Sequence, residues 1–414
     1  MRPRSPTLTI LRDAVCMALV AVVTVQALRL WVGDRYIVPT GSMEPLLHGD
    51  PDTGDIVFVD KLASASGRRR HDLVVVAEPH ESGRQLVKRI AASGDDPAAC
   101  WIDIRQGDVW LGPDKQSVHV EQKDPIAARS MRVPWALWPA VAGDERLDLT
   151  AATFEPGELR LPPLEAGVDE ARRLFATRIA RRRRGAVTPP GCLGTTRAVD
   201  ASYVDRTGRH ERIGEDVSVY DVGVELQLID AVDTLLGSLD GRNEALTFHW
   251  QPVSGELDLW RNGVSVARAT LPAAPGPHRV AFGVLDDRAF FVVDDRPEAR
   301  FVFARRADWA PDFDAVFGNG PRCHASVGVL GARPLRLRAL TVFHDVHAYR
   351  EKVLGLPGAP GEWPRLVPPG HWFLLGDSPF ASRDSRQFGP VAKQAFLGVP
   401  LAVVGPWSRR RWLL

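Results

Sequence analysis

Hydrophobic positions open the chain in one block. Ala14 to Val32, AVCMALVAVVTVQALRLWV, is apolar on every side of a helix and follows Arg2, Arg4 and Arg12. That is roughly the length a hydrocarbon core requires, about 20 residues. The pattern therefore predicts a cytoplasmic tail and transmembrane anchor over residues 1–33. Leu28-Arg29-Leu30-Trp31 is no small-x-small exit, so the segment reads as uncleaved. Arg29 can snorkel beside Trp31. The N-terminal arginines keep the tail in the cytoplasm and send the rest of the chain outside. A later apolar run, AFLGVPLAVVGPW, is cut by Gly and Pro and reads as a buried strand and turn.

From Gly54 the period changes to that of strands. GDIVFVDKLA, HDLVVVAEP and RQLVKRIAASGDD are β-branched runs closed by turn residues, and CWIDIRQGDVWLG reads as a hairpin. AGVDEARRLFATRIARRRRG, residues 166–185, is helical in pattern, its arginine run a solvated end or linker. From about Tyr220 to Val346 short strands recur: YDVGVELQLID, EALTFHW, GELDLWRNG, VSVARATL, HRVAFGVLDD, RAFFVVDDR, RFVFA, ASVGVLG and LRLRALTVFHDV. Such spacing predicts an antiparallel β-sandwich. Its alternation and Asp-Asp turns resemble the concanavalin-like (laminin-G-like) jelly-roll family. After it, PRLVPPGHWFLLGDSPFASRDSRQFGPV returns to the earlier glycine-punctuated style. The chain thus divides into the anchor, a split β domain at 34–133 and 347–414, a linker or helical segment at 134–197, and an inserted sandwich at 198–346. The fold class is mainly β.

Composition narrows the picture modestly. The 414 residues exceed one ordinary domain, and a formal net charge of +1 gives no reason to expect a nucleic-acid partner. The four cysteines contain no Cys-x-x-Cys, so no metal site and no disulfide framework are indicated, although a Cys192–Cys323 bridge stays open. Only six of the 52 basic residues are Lys. A Lys among apolar residues is then notable, because buried Lys can lose its proton and Arg cannot.

Lys88, in LVKRIAA, is such a residue. Turned inward, its amine would be desolvated and able to act as a general base. Ser42 lies in YIVPTGSMEPLLHGD, where Gly41 would let the backbone approach closely and present the hydroxyl. Serine needs a partner to take its proton. His48, His71, His80 and His371 stand in turn-like or strand-opening positions, which leaves Lys88. The plain reading is a turn Ser and a surface strand Lys.

Four ordered segments decide between these readings. PTGSMEPLLHGD, GDIVFVDK, LVKRIAASGD and GHWFLLGDSPFASRDSRQFG resemble the signature boxes of type I signal peptidases, the bacterial leader peptidases in particular. The resemblance implies Ser42 as nucleophile and Lys88 as general base. It implies Ser382 as the residue that orients the Lys amine, and Thr40 with the Ser42 N–H as oxyanion hole. Asp384 and Arg386 match a structural ion pair, and Gly376 and Asp377 the turn opening the last box. Val38, Met43, Leu47 and Val87 match pockets for small side chains. Leu46 stands where the family usually has Thr, and Ser378 where it has Asn; neither removes a catalytic group.

The resemblance implies a membrane-anchored serine endopeptidase without cofactor or metal, acting on signal peptides of exported precursors at the outer face of the cell membrane. The bilayer would be a partner, nucleic acid would not, and the sandwich could take a ligand of its own. Self-cleaving repressors share Ser/Lys chemistry, but a membrane anchor and the lack of a DNA-reading helix argue against them. The other alternative is a tethered glycan- or protein-binding sandwich with an inert peptidase half; intact Ser42, Lys88 and Ser382 oppose it.

Overall fold

The computed structural model describes residues 6–105, 107–123, 125–139, 145–176, 188–205, 209–211, 219, 221–240, 245–286, 288–304, 323–346, 348, 350, 362–378 and 380–413. Packing divides the chain into two units. The first holds Met1–Trp101 and Leu366–Leu414, the second Ile102–Gly355 and Glu362–Arg365. The division at 101/102 is earlier than the expected 133. Residues 102–123 pack with the second unit: Ala348 N donates to Gly107 O (2.8 Å), and the Arg350 guanidinium grips the buried Asp103 carboxylate (2.6 and 2.8 Å).

The first unit begins with helix α1, Pro6–Trp31. Among the described residues no helix is long and apolar enough to cross a membrane, so the expected spanning anchor is unsupported. The charge-free stretch of α1 runs from Ala14 to Leu28, between Asp13 and Arg29. The helix still exposes Met17, Leu19, Val20 and Val23 by more than half.

Four strands follow: β1 Gly33–Ile37, β2 Ile56–Asp60, β3 Leu73–Ala77 and β4 Gln85–Ser93. They form one antiparallel sheet with the C-terminal segment. Strand Phe396–Gly405, the interrupted apolar run, inserts between β2 and β3, and His371–Leu375 pairs with the far side of β4. Two distant chain segments therefore interleave within a single sheet. Val57, Val59, Leu73, Val75 and Val403 build one core; Val74, Val76, Ile90, Trp372 and Leu374 build another.

The second unit contains the expected sandwich. One sheet runs 153–155, 158–161, 335–344, 222–228, 279–285, 288–293 and 300–304, with Val133–Trp138 also paired to Leu335–His344; the other runs 264–270, 256–261, 245–251, 234–240, 324–330, 193–195 and 147–148. Phe248 of the second sheet meets Phe282 and Phe291 of the first, with ring centroids 5.4 and 6.0 Å apart. The sandwich begins well before residue 198, since strands at 133–138, 147–148, 153–161 and 193–195 complete its sheets. The expected linker is thus partly sheet. Of the expected helix, Val168–Ala176 forms, and the arginine run lies outside the described residues.

The central strand Thr234–Asp240 is missing from the strands expected. From Leu235 to Asp240 it is buried but carries no β-branched or aromatic residue, and Gly237 and Ser238 read as a turn. Cys192 and Cys323 do not form a disulfide. The register Leu193↔Val327 sets Cys192 beside Gly328, five residues along the strand from Cys323. That is roughly 16 Å, beyond disulfide reach. Gly237 leaves room for the Phe282 ring, which a Cβ there would approach to 2.3 Å. Gly237→Ala is expected to destabilise the sandwich by about 1–3 kcal/mol, measured as a lower denaturant midpoint for its unfolding.

Candidate active site

Lys88 lies in mid-β4, opposite Val74 on a sheet face that also carries Leu86 and Ile90. It is 1% exposed. The long stem threads apolar surroundings, and its Nζ lies 2.7 Å from Ser42 Oγ. Burial lowers the amine from its ordinary 10.5 to about 8; the Asp384 and Asp377 carboxylates oppose this, and the Arg386 guanidinium adds to it.

Ser42 sits in the short turn Gly41–Met43, entered through extended Thr40. Met43 is wholly buried and Ser42 only partly, so the turn is pinned by one side chain and presents the next. At Gly41 a Cβ would meet no backbone within 4 Å, only the Glu44 Cγ at 3.3 Å. The close approach belongs instead to Gly376, where a Cβ would stand 2.2 Å from Ser382 Oγ and 2.4 Å from the Ser42 carbonyl. Ser378 N also donates to that carbonyl (3.2 Å).

The last box is held as a rigid unit. Asp384 caps the helix Ser385–Phe388 with a reciprocal Gln387 contact. Its carboxylate accepts from Arg386 Nε (2.8 Å), Arg386 Nη2 (2.9 Å) and Gly376 N (3.0 Å). Burial alone would raise Asp384; Arg386 outweighs it and holds the carboxyl below the usual range. The expected pair is therefore in place. Ser382 is buried, but its Oγ makes no hydrogen bond to the Lys88 amine, so the expected orienting bond is not formed.

Comparison with known proteins adds a family. A model of the family described as "Signal peptidase, peptidase S26" matches residues 11–110 and 338–405. This match supports the signal peptidase family. No curated protein matches the chain. Among solved structures, fructofuranosidase from Schwanniomyces occidentalis is 6% identical over 30% of this chain and 28% of that one (TM-score 0.21). This chain thus spans little more than a quarter of that enzyme. Galectin LEC-6 of Caenorhabditis elegans is 14% identical, over 36% and 91% (0.22). Bacillus licheniformis β-glucanase is 11% identical, over 52% and 96% (0.25). At such scores these likenesses carry no weight for fold or ligand.

The residues aligned by resemblance with signal peptidase pockets gather in one place. Val38, Met43 and Leu47 are buried together, with Val87 packed against them. Met43 and Leu47 are 0% exposed, so they stand behind the surface rather than on it. Thr40 is exposed, and its side chain makes no cap hydrogen bond. The histidines face other groups: His48 Nδ1 meets Glu44 Oε1 (3.0 Å) and His371 Nδ1 meets Pro369 O (2.9 Å).

Two ties went unread in the sequence. Arg89, next to Lys88, grips Asp377 with two bonds (2.8 and 2.7 Å), both residues nearly fully buried. Glu78, beyond β3, pairs with Arg383 of the last box (3.1 Å) and Arg84 (3.2 Å). The signal available was charge inside apolar runs, the Lys-Arg step of β4 and the Glu closing VVVAE. Because the folded Lys88 titrates near 8 rather than 10.5, the folded chain binds fewer protons between those values. The penalty is full below about 8 and vanishes as pH rises through 10.5. Lys88→Met is expected to exceed the parent in stability at neutral pH by roughly 3 kcal/mol. In denaturant titrations across pH, that gap should close over the same window.

Proposed function

We propose that this chain is a serine endopeptidase that removes signal peptides from exported precursors, cleaving after small-x-small sequences. The observation that carries the reading is the contact between a buried, pKa-lowered Lys88 amine and the Ser42 hydroxyl at 2.7 Å. The ammonium donates to the hydroxyl oxygen; once the amine is neutral, the same separation lets the hydroxyl donate to nitrogen. The family match over 11–110 and 338–405 supports the same reading.

In this reading Lys88 takes the Ser42 proton as Oγ attacks the scissile carbonyl. The oxyanion is held by the Ser42 N–H and the Thr40 hydroxyl, which has no cap bond to give up. The Lys88 ammonium then hands its proton to the departing amine. Water enters, gives a proton to Lys88 and hydrolyses the ester, returning Ser42. No cofactor or metal takes part. The substrate would add as an extended strand, with the Val38, Met43, Leu47 and Val87 cluster leaving room only for small side chains. The unit would work at the outer face of the cell membrane, with α1 in contact with lipid through its exposed apolar side chains.

Ser42→Ala and Lys88→Ala are each expected to abolish cleavage of an exported precursor while circular dichroism stays native, and Lys88→Arg should fail as well, since guanidinium cannot accept a proton. Near-normal cleavage by Lys88→Ala would refute the assignment. kcat/KM should rise with pH to a plateau with its midpoint near 8, following Lys88 deprotonation. Thr40→Val should lower kcat by about a hundredfold, where Thr40→Ser should not.

A further inference from the structure

Four aspartates from separate parts of the second unit converge where the peptidase reading has no use for them. Asp108 lies in strand Asp108–Gly112, and Asp221 just precedes strand Val222–Leu228. Asp286 forms the turn after Arg279–Leu285, and Asp345 follows Leu335–His344. One carboxylate oxygen of each lies within 4.8 Å of one from each of the others. Asp221, Asp286 and Asp345 are all under 5% exposed.

Lys123 is the cation seen at this place. Its ammonium pairs with Asp286 and stands 2.6 Å from Asp345 Oδ2. One ammonium against four carboxylates leaves excess negative charge in a closed space, which is costly unless paired. The second observation is at Asp345. It is 3% exposed and turned into the cluster, yet its Oδ1 has no hydrogen-bond partner. The Asp345 carboxylate thus pairs with Lys123 through Oδ2, while Oδ1 is left for a water or an ion to satisfy. The surrounding backbone is already tied down: Asp286 N donates to Asp221 Oδ2 (2.8 Å), Lys123 N to Asp286 Oδ2 (3.0 Å) and Asp345 N to Asp221 O (3.0 Å).

We propose that Asp108, Asp221, Asp286 and Asp345 form a binding site for one calcium ion in the sandwich. An all-oxygen donor set selects hard cations. Oxygens up to 4.8 Å apart can share one ion at about 2.3–2.6 Å, the calcium range, whereas magnesium needs about 2.0–2.1 Å and keeps several waters. Lys123 remains as the tethered counter-ion of Asp286 and Asp345. The ion would join the strand of Asp108 to the ends of three neighbouring strands of one sheet, 222–228, 279–285 and 335–344. The proposal is independent of the peptidase reading, because it concerns other residues and another readout.

The test uses the full-length chain in mild detergent, stripped with EGTA and titrated with CaCl2 or MgCl2 by calorimetry and thermal unfolding. One calcium per chain should bind, and at about 100-fold over Kd the sandwich transition should move up by several degrees. Asp345→Asn should weaken calcium binding at least tenfold. No heat and no shift with calcium up to about 10 mM, beyond even weak extracellular sites, would overturn the proposal without any variant. Unchanged affinity in Asp345→Asn would also overturn it, and an equal response to magnesium would overturn the choice of calcium.

Discussion

A lysine with 1% of its surface in contact with water is an expensive residue to bury, and the first unit is organised around that cost. An ammonium in an apolar setting either finds a carboxylate or sheds its proton. Two carboxylates, Asp384 and Asp377, are near enough to favour the charged form. Each has a guanidinium of its own, Arg386 and Arg89, bound by paired hydrogen bonds. With those acids already matched, burial decides the state of Lys88, and its nearest polar partner is the Ser42 hydroxyl.

That balance requires both ends of the chain. Lys88 and Arg89 come from β4; Asp377, Ser382, Asp384 and Arg386 come from almost 300 residues later. The sheet supplies the link: His371–Leu375 pairs with β4, and Phe396–Gly405 lies between β2 and β3. Gly376 lets this returning segment close on the Ser42 carbonyl, where any side chain would collide. Polar ties then set the angle, Glu78 to Arg383 and Ser378 N to Ser42 O. The site is thus a product of long-range pairing, and no contiguous stretch of the chain contains it.

This explains what could be read from residues alone. The strands around Lys88 and most of the sandwich were legible as short β-branched or aromatic runs closed by turn residues, even where both faces are buried, as in Leu73–Ala77 and His324–Leu330. Thr234–Asp240 was not, since Leu235 to Asp240 holds no β-branched or aromatic residue and is broken by Gly237 and Ser238. Ser42 and Lys88 were visible as types in a suggestive setting, but only the ordered boxes joined them. The close approach expected at Gly41 is made by Gly376, since a steric need depends on what folds against a residue. The aspartate cluster lay beyond reach, its members scattered from 108 to 345 with no local spacing to show that they meet.

The state of one amine is the point on which the account stands, and it can be observed directly. With lysine carrying 13C at Cε, the chain has only six such signals, and the Lys88 signal is the one lost in Lys88→Met. Followed by NMR against pH, that signal should titrate with a midpoint near 8. A midpoint at the ordinary 10.5 would leave only about one amine in three thousand neutral at pH 7, against about one in ten for a midpoint near 8, and would contradict the account.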